Sequence, residues 1–252
     1  MRKRGYGVLN YLFMGLSVVF LVCIVAFLVE RLKECSVKAT VLKATASLFF
    51  VILGCVALAI KPENFNYGIL FIIGMVFCTV GDIWLDLKYV HKEFDEQYTF
   101  VGIGSFLVSH AFYVVGILVA YPEFVPWQIA LAIFSATAIA VVERLISKKT
   151  GFEYGKLKNL TFVYSIVIML TVTFSLNGMN AFGWLPMLGG AEMPDVLPRF
   201  VTMNIGTLVF ALSDLALSIA FFKKGGNTKA NVIWVHTTYY LAQFLLVISI
   251  LM

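Results

Sequence analysis

Read for apolar and polar positions, the chain is a series of long apolar runs separated by short polar breaks. Eight runs can be drawn, at roughly 9–29, 39–60, 67–87, 98–120, 126–146, 158–177, 200–222 and 230–251. Each holds about 20 residues, the length of helix that crosses a hydrocarbon core of about 30 Å. The strict polar–apolar alternation of a membrane β-barrel is absent. The pattern therefore predicts an all-α, polytopic membrane bundle of eight transmembrane helices, forming a single transmembrane domain over 1–252. Helices are expected because each satisfies its own backbone hydrogen bonds in lipid.

The first run, in MRKRGYGVLNYLFMGLSVVFLVCIVAFLVE, imitates a signal peptide. It is longer than a typical signal core and no small-residue cleavage site follows, so it reads as the first transmembrane helix. Pro62, Pro122, Pro126, Pro186, Pro194 and Pro198 are expected between the spans, as helix punctuation. Only the connection from Gly178 to Arg199 is long, and it reads as a re-entrant or interfacial lid.

Composition agrees with a membrane protein: 61% of residues are hydrophobic and 13% charged, which no soluble fold accommodates. The net charge of +5 comes from short connections and speaks to topology and anionic headgroups rather than to nucleic acid. Lys and Arg are concentrated in the 1–2, 3–4, 5–6 and 7–8 connections, which the positive-inside rule places in the cytoplasm; the basic N-terminus pulls the other way. The membrane would be the cell membrane in a bacterium, or one of endoplasmic-reticulum type in a eukaryote. Four scattered cysteines, with no C-x-x-C pair, suggest neither a disulfide framework nor a thiolate metal site.

A short internal similarity is present. Gly74 and Gly206 each precede an aspartate by eight residues, in the shared pattern G-x7-D-x-x-L, and His110 and Gln243 follow those aspartates by 28 and 29 residues. This is compatible with a 4+4 parallel repeat, which would set Asp82 and Asp214 at similar depth.

Candidate chemistry lies in the polar residues inside the apolar runs, where a carboxylate costs about 2.5–3.5 kcal/mol and calls for a reason. The third span carries Asp82 near its middle. Asp86, one turn on and close to Lys88, reads as a solvated helix end. The second span carries Lys43, with Thr40 and Ser47 on the same face; it is either snorkelling to the interface or paired with an aspartate. The fourth span holds His110 and Tyr113 on one face. The seventh aligns Asn204, Thr207, Ala211 and Asp214, with Ser213 beside them, and the eighth carries His236, Tyr239, Tyr240 and Gln243. Such residues either glue helices together or line a wet cavity. Lys43, Asp82, Asp214, Tyr239 and Tyr240 lie toward the ends that open to the odd-to-even connections, with His110 and Gln243 deeper. The many phenylalanines read as lipid-facing bulk. Three histidines without an H-x-x-x-H pair do not suggest a zinc site.

Gly81-Asp82-x-x-Leu85, Phe106 to Tyr113 (FLVSHAFY), Phe210 to Leu217 (FALSDLAL) and Tyr239 to Gln243 (YYLAQ) together resemble the lysoplasmalogenase (YhhN-like) family of eight-span membrane proteins. The resemblance extends through Lys43 and covers most of spans 2 to 8. It implies hydrolysis of the vinyl ether bond of a lysophospholipid substrate, the lysoplasmalogen, within membrane lipids. The products would be a fatty aldehyde and glycerophosphocholine or glycerophosphoethanolamine. It implies Asp82 and Asp214 as the catalytic pair, with no metal and no cofactor. The chemistry suits two buried carboxylates, since vinyl ether hydrolysis needs an acid and an anion that stabilises an oxocarbenium ion. Lys43, His110, Tyr113, Asn204, Ser213, Tyr239, Tyr240 and Gln243 are the expected supporting or substrate-binding residues. The alternative is a proton-coupled small-molecule or lipid transporter, because buried Asp, Lys, His and Tyr also build ion pathways.

Overall fold

The structure is a computed structural model that describes residues 2–121, 124–179 and 197–252. Among these residues there are eight α-helices: α1 (Arg2–Lys33), α2 (Val37–Ile60), α3 (Phe65–Val90), α4 (Asp95–Ala120), α5 (Pro126–Lys149), α6 (Lys158–Met179), α7 (Leu197–Phe222) and α8 (Lys229–Leu251). All eight are long and apolar enough to cross a membrane. Among the described residues there is no strand, only one antiparallel bridge between Phe152 and Lys223. Pro62 opens a single 3-10 turn ahead of α3, whereas Pro126 and Pro198 stand in the first turns of α5 and α7 rather than between spans. The first turn tolerates proline because its N–H groups have no partner inside the helix. Pro122, Pro186 and Pro194 lie outside the described residues, as does 180–196 of the expected lid, whose two ends, Gly178 and Arg199, belong to α6 and α7.

Much of the core is aromatic, which corrects the reading of the phenylalanines as lipid-facing bulk. Phe13, Phe20 and Phe27 recur every seven residues on α1 and are all buried. Their rings meet Phe244, Tyr240 and His236 of α8, with centroids 6.4, 5.8 and 4.8 Å apart. A seven-residue period keeps one seam of a helix on one neighbour. Phe50, Phe71 and Phe210 are fully buried between other helices. In lipid the apolar phase exerts no pull on phenylalanine, so dense ring packing rather than burial from water selects these positions.

The tightest pairing is that of α3 with α4, and glycine permits it. A Cβ on Gly81 would lie 2.7 Å from the ring of Phe106, and one on Gly116 would lie 2.6 Å from the ring of Phe71. Large side chains of one helix thus fill spaces left by glycines of the other, and the backbones approach closely.

Two polar clusters mark the ends of the bundle. At one end Asn64 donates to the Ile250 carbonyl (2.8 Å) and accepts from Arg199 (2.8 Å), while the Tyr67 hydroxyl donates to the Ser249 carbonyl (2.8 Å). These bonds satisfy carbonyls that the last turn of α8 leaves without a helical partner. At the opposite end lie the connections α1–α2, α3–α4, α5–α6 and α7–α8. There Glu153 N–H donates to Phe222 O (2.8 Å) and Lys156 reaches Glu96 (3.1 Å).

Candidate functional site

The site is built on α3. Asp82 and Asp86 are four residues apart, so they share a face, and each is only 2% exposed. Asp86 is therefore not the solvated helix end that its position suggested. On α2, Thr40, Lys43 and Ser47 form one stripe at spacings of three and four and turn it toward these carboxylates. Lys43 Nζ lies 3.2 Å from Asp82 Oδ1 and 3.9 Å from Asp86 Oδ1, so it is a buried ion-pair partner and does not snorkel. Asp82 Oδ2 accepts from Ser47 Oγ (2.6 Å) and from the Tyr239 hydroxyl (2.7 Å). Asp86 Oδ2 accepts from Thr40 Oγ1 (2.9 Å), and its Oδ1 faces Arg31 Nη1 at 3.6 Å. Charges taken out of water persist only when pairing and hydrogen bonds offset the desolvation, and both carboxylates meet that condition.

Asp214 approaches from α7. It is partly exposed, and Tyr164 of α6 donates a hydrogen bond to its Oδ2. Among the described residues no Lys or Arg lies within ion-pair distance of it. Asp82, Asp86 and Asp214 line one pocket together with Lys43 and Arg31. The pocket is narrow, about 30 Å³, room for roughly two waters. Its apolar wall includes Leu85, Phe106, Leu217 and Phe221.

The remaining predicted residues fall into three groups. Tyr239 lines the pocket, and so does Ser213, whose hydroxyl donates to Val235 O (2.9 Å) and ties α7 to α8. Tyr240, Gln243 and Tyr113 stand behind the pocket. The Tyr240 hydroxyl donates to Lys43 O (3.3 Å), Gln243 Nε2 donates to the Tyr239 oxygen (3.5 Å), and the Tyr113 hydroxyl donates to Gln243 Oε1 (3.0 Å). The run continues through Cys78 Sγ to Ser109 Oγ, 2.9 Å apart. It ends there: Met75, Ile117 and Leu246, one turn further along their helices, and Phe71, two turns along, are fully buried. His110 and Asn204 are not brought to the pocket. His110 packs on Phe210 (4.5 Å between rings) and pairs through Nδ1 with Thr171 Oγ1 at 3.2 Å. Asn204 lies ten residues before Asp214, about 15 Å along the helix.

Sequence reasoning missed Arg31, Asp86 and Tyr164. Arg31 had a signal: it follows Phe27 by four residues and so extends the Phe13–Phe20–Phe27 seam into the bundle. Tyr164 had none, because its partner lies 50 residues away in sequence. Among the described residues, no three His, Cys, Asp or Glu side chains are grouped so that they could hold a metal ion.

The sequence model of the YhhN family matches residues 38–250, from the first turn of α2 to the last of α8. The chain belongs to the YhhN family. The YhhN match contains Lys43, all three pocket aspartates, Tyr164 and Tyr239. Among the described residues that line the pocket, only Arg31 lies outside it. Searches of curated proteins and of solved structures returned no match.

Proposed function

We propose that this YhhN protein hydrolyses the vinyl ether bond of lysoplasmalogens by acid catalysis, with Asp82 and Asp214 in complementary roles. The observation that carries the reading is the unequal provision for two carboxylates across one small pocket. Asp82 faces an ammonium and two hydroxyl donors, a setting that suits a permanent anion. Asp214 has a tyrosine hydroxyl and, among the described residues, no cation within ion-pair distance, which assigns it the proton.

In this mechanism Asp214 protonates the β-carbon of the vinyl ether. The resulting oxocarbenium ion lies against the Asp82 carboxylate. Water adds to the cation and returns a proton to Asp214, which is thereby restored as the acid while Asp82 stays ionised, and the hemiacetal then breaks into a fatty aldehyde and the glycerophospho-base. The pocket has room for that water but not for the lipid, so the substrate enters by parting the apolar wall, its tail between helices. Family membership supports a hydrolase, and the paired-carboxylate logic is that of glycoside cleavage through a similar cation.

The alternative, proton-coupled transport, draws on the hydrogen-bonded run from Asp82 to Ser109. Against it, among the described residues the run stops at Ser109, and fully buried apolar side chains follow it along its helices.

The test is aldehyde release from a lysoplasmalogen by purified protein in detergent. Asp82→Asn and Asp214→Asn are each expected to lower the rate by about 10²–10⁴-fold, the scale of a lost acid or base, while both variants remain folded. Hydrolysis that survives both changes would refute the mechanism. A folded wild type that releases no aldehyde would put transport first, to be followed by uptake into vesicles.

A further inference from the structure

Arg31 is 7% exposed, yet its Nη1 has no hydrogen-bond partner among the described residues. Its guanidinium stacks on the Tyr89 ring, 4.0 Å from the centroid, and the side chain lines the pocket. The nearest carboxylate oxygen, on Asp86, is 3.6 Å away, too far for a hydrogen bond. A buried guanidinium with an unused donor is costly to keep, and Asp86 already receives Thr40 and lies near Lys43. Packing fixes the position: the seam of three phenylalanines holds α1 against α8, and the Tyr89 stack holds the planar group at the pocket's edge.

We propose that Arg31 binds the phosphate of the lipid substrate, with Lys43 as the second cation facing the same space. The proposal rests on the lysophospholipid reading above and adds the residue that recognises the headgroup. Depth is consistent with it. Arg31 belongs to the last turn of α1, at the end of the bundle that carries the basic connections, and it faces Asp86, which lies one turn, about 6 Å, beyond Asp82. That step matches the glycerol unit that separates an sn-1 vinyl ether from its phosphate. Arginine suits the task because its planar fork can meet a phosphate with two parallel N–H groups and still face Asp86 with a third.

The experiment measures binding rather than turnover. A saturated 1-O-alkyl lysophosphatidylcholine, which has no vinyl ether to cleave, is compared with the phosphate-free 1-O-alkylglycerol by equilibrium binding in detergent. The wild type is expected to prefer the phospholipid by roughly tenfold to a hundredfold, the scale of one or two hydrogen bonds to a charged group. Arg31→Gln is expected to abolish that preference, and Arg31→Lys to keep only part of it. If Arg31→Gln does not fold, Arg31→Lys carries the test alone, and an undiminished preference there overturns the proposal. A wild type without preference, or a folded Arg31→Gln that retains it, does the same. Inorganic phosphate is expected to weaken phospholipid binding to the wild type and not to Arg31→Gln, and equal competition in both would overturn the proposal. Arg31-dependent binding together with no aldehyde release would leave the phosphate site standing and remove the hydrolase reading.

Discussion

Lys43 stands between two buried carboxylates, at 3.2 Å from Asp82 and 3.9 Å from Asp86. Replacing it by methionine, which keeps the length and removes the charge, leaves both aspartates without their shared ammonium. Breaking a buried pair from one side costs about 3–5 kcal/mol. Lys43→Met is therefore expected to lower the melting temperature in detergent clearly, and an unchanged melting curve would mean that the ion pair carries no stability. Tyr164 offers a gentler test. Tyr164→Phe removes the hydroxyl that reaches Asp214 and leaves the ring packed against His110, 5.8 Å between centroids. The expected result is a folded protein whose aldehyde release is lower by roughly tenfold, the value of one hydrogen bond to a charged group. Wild-type rates from Tyr164→Phe would show that Asp214 acts without it. Asp82, Asp214 and Lys43 were legible in the sequence because a charge inside an apolar run has no cheap explanation. Asp86 was not, because a charge at the end of a run is ordinarily solvated, and only the packing of α2 and α3 shows that it is enclosed; Arg31 carried no more than the period of the phenylalanine seam on α1.

At the scale of helices, the close approach of α3 and α4 sets where Asp82 points. Gly81 precedes it directly and leaves no room for a Cβ beside Phe106, whose ring also lines the pocket. Gly81→Val would have to push that ring aside or part the helices. Overpacking of this kind costs about 1–3 kcal/mol, and it would displace Asp82 from Lys43 and Tyr239. The expected outcome is a lower yield of folded protein and a greater loss of aldehyde release than of stability; normal activity from Gly81→Val would show that the pairing tolerates a wider gap. Glycine spacing in α3 was visible in the sequence as part of the repeated G-x7-D pattern. Its use was not, because a glycine that admits a neighbouring ring looks the same in sequence as one at a helix end. The phenylalanines give the reverse case: composition counts them, but only their seven-residue spacing on α1 tells core from lipid-facing positions.

For the whole molecule, the proposed orientation puts the pocket end of the bundle, with its basic connections, toward the cytoplasm. Cys35, exposed in the α1–α2 connection, reports on this directly; Cys78 is buried, and Cys23 and Cys55 lie within the apolar α1 and α2. A membrane-impermeant thiol reagent is expected to label Cys35 in permeabilised cells and to miss it in intact ones, and labelling of intact cells would reverse the orientation. The sequence by itself determined the class of fold, because a helix in lipid is specified locally: about 20 apolar residues and a polar break are enough to place it. It also determined which groups were costly to bury, since that cost belongs to each residue type. Tertiary structure alone decided which of those groups share a pocket. The partners come from six different helices, and contacts between residues up to about two hundred positions apart depend on side-chain packing, which leaves no period in the sequence to read.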